Sequence, residues 1–183
     1  MSATQPMPSL GFSAPALVRK VDRPTFWRPT KGEGAPTIEQ RLGNVFPRDD
    51  NGTVSVYLVS NYQDLQRVSL AYNSTRLNLT EEIQWLPLSL AEVQAEGIEI
   101  KTDLAETVCG FANRLHRSLI HDEEKFRRLT QRLVSEDREL RKFRRGELKS
   151  AITKGEGDGC AVTRDDHDGS GCECASPAAS SAK

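Results

Sequence analysis

Apolar side chains recur at gaps of mostly three, four and seven along residues 103–145. They are Leu104, Val108, Phe111, Leu115, Leu119, Phe126, Leu129, Leu133, Leu140 and Phe143, in a stretch with no proline and Gly110 as its one glycine. That period predicts one long amphipathic helix, or two helices broken near residues 121–122. From 119 onward, the three-four spacing forms a short heptad-like seam interrupted only by Asp122 and Glu136.

Upstream the period changes to two. TVSVYLV, residues 53–59, sets Val54, Val56 and Leu58 on one face and Ser55, Tyr57 and Val59 on the other, which predicts a central strand. Ser60 or Asn61 can cap a following helix to about residue 74, with Leu65, Val68 and Tyr72 facing inward. EIQWLPL, residues 82–88, reads as a second strand that Pro87 ends or confines to an edge. Ser89 and Glu92 have capping-box spacing for a short helix that stops at Gly97. Residues 98–101 alternate as an edge strand, and Thr102 or Asp103 can cap the long helix.

Earlier, residues 36–43 suit one or two helical turns and 47–52 a tight turn. Residues 1–35 are rich in Pro, Gly, Ser and Thr and read as a disordered arm. Within it, Phe26 and Trp27 suit an anchored pair packed on the domain, or a short linear motif. The fold expected is α/β, with α+β as the other possibility. It has a small three-stranded parallel or mixed sheet covered by helices, because strands joined through helices tend to lie parallel. The domain spans 36–150, and residues 151–183 form a disordered acidic tail of Cys, Gly and Ser.

Composition narrows the class. With 183 residues, 37% hydrophobic and 28% charged, the chain suits one soluble domain with irregular ends. No run approaches the ~18 apolar residues of a membrane span. Pro6, Pro8 and Pro15 break the N-terminal stretch, which argues against a secretory signal. A cytoplasmic setting with reduced thiols follows as the expectation, with no membrane partner. The net charge of -1 conceals an asymmetry: residues 125–154 hold eleven Lys and Arg against four acids, and residues 155–183 hold six acids against two bases.

Four groups of residues could carry function. Leu119, Phe126, Leu129, Leu133, Leu140 and Phe143 form the seam, which on a protruding helix would bind a protein partner or a second copy. Burying each is worth about 1.5–3 kcal/mol. A non-enzymatic interaction protein is therefore the leading expectation. Arg127, Arg128, Arg132, Arg138, Arg141, Lys142, Arg144 and Arg145 could instead neutralise nucleic-acid phosphates. Against that, Glu123 precedes Arg127, Glu124 precedes Arg128 and Asp137 precedes Arg141 by four, a spacing that pairs charges on a solvated helix. Cys109, Asn113 and His116 would share a narrow helical arc, where a thiol beside an imidazole could act as a nucleophile. Burial or local bonding is the plainer account of all three. In the tail, Cys160, His167, Cys172 and Cys174 are weak metal-ligand candidates, because C-x-C in a Gly-Ser context fits no common site. No phosphate-binding loop or hydrolase motif is present, and no cofactor is expected.

Overall fold

The computed structural model describes residues 10–27, 34–74, 82–103, 110–144 and 146–148. Its centre is β1 (Ala16–Lys20), drawn from the segment expected to be a disordered arm. β2 (Thr53–Val59) and β3 (Ile83–Ser89) flank it, both antiparallel to it. The helix between them, α2 (Tyr62–Ser74), therefore joins two strands that run the same way but do not touch, because β1 lies between them.

The pattern repeats one shell further out. β5 (His116–Ile120) pairs with β2, β6 (Arg141–Phe143) pairs with β3, and α5 (Glu123–Ser135) spans the distance between them. A hairpin partner, β4 (Ile100–Thr102), closes the β5 side. The result is a six-stranded sheet in the order β4-β5-β2-β1-β3-β6 with every neighbouring pair antiparallel. This corrects the expected three-stranded parallel or mixed sheet. Helical crossovers do link the strands, but at each crossover a third strand is inserted, and adjacency rather than connection sets the ladder.

The long helix of residues 103–145 is likewise replaced by α4 (Gly110–Leu115), β5, α5 and β6. Asp122 starts α5 by accepting the Lys125 amide through its side chain. At the other end, Asp137 takes a left-handed φ of +50°, and two reverse bonds close a Schellman motif, Arg138 N–H to Leu133 O and Asp137 N–H to Val134 O. A glycine usually marks such a stop. Here an aspartate does, so the apolar period gives no sign of the break.

Helices cover both faces. α2 and α4 bury Leu65, Val68, Leu70, Ala71 and Ala112 against Val18, Tyr57, Val59, Ile83 and Trp85. On the opposite face lie α5, α1 (Ile38–Val45) and α3 (Leu90–Ala95). They bury Leu42, Val45, Val93, Phe126, Leu129 and Leu133 against Leu17, Val54, Val56, Leu86, Leu88 and Leu119. Capping boxes start α1 (Thr37 with Gln40) and α3 (Ser89 with Glu92).

Two side chains tie the N-terminal segment down. Trp27 is buried and donates Nε1–H to Arg138 O at 2.8 Å. Arg41 donates to the carbonyls of Pro36, Phe26 and Trp27.

Pro87 is buried inside β3, not at its end. It is tolerated because Val21 N–H bonds Gln84 O, so position 87 faces away from β1 in the ladder. Its carbonyl lies past the end of β6 and accepts from Arg138.

Candidate functional site

The seam expected to dock a partner is consumed by the fold. Leu119, Phe126, Leu129 and Leu133 are 0% exposed in the core under α5, Phe143 is 0% exposed in the core under α2, and Leu140 is half-buried against the α5 side. Four full burials on one face are worth about 6–12 kcal/mol, and the sheet supplies the cover that a partner would otherwise give. The six residues thus serve folding, and no apolar ridge is left on α5.

The basic residues do not form an open cationic face. Arg127 pairs with Glu39 and Glu123, both at 3.0 Å. Arg128 pairs with Glu96 and Glu124, and Arg132 with Glu96. Lys142 meets Glu82 at 3.2 Å, and Arg141 meets Glu147 at 4.0 Å rather than Asp137. Arg138 grips Glu92 through both terminal nitrogens and also meets Glu136. Burial pulls the Arg138 guanidinium down, but its bonds to Glu92 and Glu136 outweigh that and hold its pKa above the ordinary value. Arg144 is exposed, and Arg145 lies outside the described residues.

Cys109 and the tail candidates Cys160, His167, Cys172 and Cys174 also lie outside the described residues. Among the described residues, no three His, Cys, Asp or Glu side chains gather as a metal site. No described helix is long and apolar enough to cross a membrane.

Asn113 and His116 do come to one region, though not on one helix. Asn113 is buried on α4, while His116 is the first residue of β5. The break between them replaces the helical arc with a cross-strand arrangement. Thr102 pairs with Arg117, so the next step sets Asp103 opposite His116. In a strand, 116 and 118 share a face, and one carboxylate reaches both. Asp103 Oδ1 is 2.7 Å from His116 Nδ1, and Asp103 Oδ2 accepts the Ser118 hydroxyl. A carboxylate can only accept, so Nδ1 carries a hydrogen, and in the neutral imidazole the lone pair sits on Nε2. His116 is 7% exposed and Ser118 4%. Among the described residues, no group bonds Nε2.

The imidazole also ends an aromatic row. Its ring meets Tyr57 edge-on at 5.3 Å, and Tyr57 meets Tyr72 at 5.8 Å and Trp85 at 6.1 Å. Trp85 is fixed in turn by donating to Ser69 Oγ at 2.8 Å. One side of the imidazole is thus walled by rings and the other held by a carboxylate.

This is not a serine–histidine–aspartate relay. The Ser118 hydroxyl is spent on the aspartate, not aimed at Nε2. What remains is an oriented imidazole able to accept or donate one proton. Sequence reading missed Asp103 because it was assigned to a helix cap. Its pairing with His116 exists only once β4 and β5 form a hairpin. No family model, curated protein or solved structure matches the chain, so the site is read from its own residues.

Proposed function

We propose that this protein binds a small polar ligand at His116 and that the imidazole exchanges a proton with it. The single observation behind this reading is the environment of His116 Nε2. That nitrogen belongs to a buried ring whose other nitrogen is committed to Asp103, yet among the described residues no group satisfies it. Buried polar atoms without partners are rare in folded proteins and concentrate at working sites. The fitting ligand carries a hydroxyl or amine hydrogen that Nε2 accepts, with the Tyr57 edge beside it. Asp103 would stabilise the imidazolium formed, as an orienting carboxylate does.

A second reading has its own observation. Asp103 uses both oxygens to join positions 116 and 118, which is what a clasp on the β4–β5 hairpin would do.

Nitrogen-detected NMR of the ring, combined with a screen of hydroxyl- and amine-bearing fragments, separates the two. The ligand reading expects fragment-induced shifts clustered on His116, Tyr57 and Asn113. They should disappear in a folded His116→Phe variant, and Asp103→Asn should change the ring tautomer. The clasp reading expects no clustered shifts, and a loss of stability in both variants as their main effect. That second pattern would end the ligand proposal.

A further inference from the structure

We infer that two copies of this chain pair through their β4 edges, extending one sheet into the next. β4 ends the sheet, and its ladder shows which backbone groups remain open. Ile120 N–H bonds Glu99 O, so odd-numbered positions of this segment face β5. The amide and carbonyl of Ile100 and of Thr102 therefore point outward, where no group among the described residues meets them. Ile98 N–H is taken by Val93 O, which limits how far an added strand could pair.

The side chains name the occupant. Glu99 and Lys101 are exposed, share a face and flank Ile100. A twofold axis through Ile100, with antiparallel strands, sets Glu99 opposite the partner's Lys101 and Lys101 opposite the partner's Glu99. Ile100, half-buried against the α5-side core, then meets its own copy. The strand is self-complementary in charge, register and hydrogen bonding, as an isologous contact requires.

The other edge lacks this property. A twofold through Lys142 of β6 would set two ammonium groups face to face, and beyond β6 the Arg138 side chain covers the Pro87 carbonyl. One edge is guarded and the other is not. The contact is short, so the association is weak and concentration-dependent. It stands independently of the His116 reading, because Asp103 and His116 bond within one copy.

Sedimentation of the full chain over a concentration series tests it, with circular dichroism to confirm that each variant is folded. Wild type should pass from monomer to dimer as concentration rises. Glu99→Lys and Lys101→Glu each replace two ion pairs with two like-charge contacts and should weaken association about tenfold. An equimolar mixture of the two single variants should associate again, since each then meets opposite charges, and the double swap should behave as wild type. A wild type that stays monomeric overturns the inference. So does association indifferent to both single variants, or a mixture that fails to recover.

Discussion

Phe126→Ala decides whether the α5 face is core or docking surface. Phe126 is 0% exposed, lies 5.3 Å from the Phe46 ring at a tilt of 59°, and stacks on His121 at 5.1 Å. Truncation loses the transfer energy of the ring, opens a cavity among packed neighbours and removes two aromatic contacts. Together these cost about 4 kcal/mol. Against a total stability of about 5–15 kcal/mol, the variant stays folded in buffer but unfolds at much lower urea. With an m-value of about 2 kcal/mol/M, the midpoint should fall by roughly 2 M. Trp27 and Trp85 are buried on opposite faces of the sheet, so their fluorescence reports unfolding from both sides. Coincident loss from both confirms a single cooperative core. A cost below about 1 kcal/mol would mean the ring is not enclosed by its own chain, against the burial argument.

Three further outcomes follow from the same structure. Asp49 is pulled upward by burial, but its bonds from the Thr53 hydroxyl and amide and from the Asn51 amide outweigh this and hold its carboxyl below the usual aspartate range. A lowered carboxylate stabilises the fold above its unfolded pKa, and that contribution is lost as pH falls through the folded value. Because Asp49 is exposed, the wild-type advantage over Asp49→Asn should be only about 0.5–1 kcal/mol near neutral pH, shrinking as pH drops below ~4. Urea titrations at several pH values check it, and a gap that widened in acid would refute it. Arg138→Gln strands the Glu92 carboxylate, whose side chain is 9% exposed, and should cost roughly 3 kcal/mol by thermal melting. Adding Glu92→Gln should recover part of that loss, since the stranded charge is then gone. Finally, with Arg127, Arg128, Arg132, Arg138, Arg141 and Lys142 paired to carboxylates, labelled RNA and duplex DNA should show little salt-sensitive binding by anisotropy. A steep salt slope abolished by Arg127→Ala and Arg128→Ala would overturn this.

The sequence by itself determined what depends on neighbours within a few residues. The alternation of Val54, Val56 and Leu58 against Tyr57 and Val59 marked β2, and Ser89 with Glu92 marked the start of α3, because strand faces and helix caps are local geometry. The Glu123–Arg127 and Glu124–Arg128 pairs are likewise set by helical spacing alone. Only the tertiary structure decided that residues 16–20 supply the central strand. Their short run is weak in isolation and is held by ladders on both sides. Tertiary structure also turned residues 116–120 into a strand. Leu115 and Leu119 fit a helix period, but β2 has outward amides that require a partner, and a buried unpaired ladder costs more than a local helical preference returns. That pairing is what brings Asp103 to His116. The site was illegible in the sequence because its two residues meet through a hairpin that no local pattern announces.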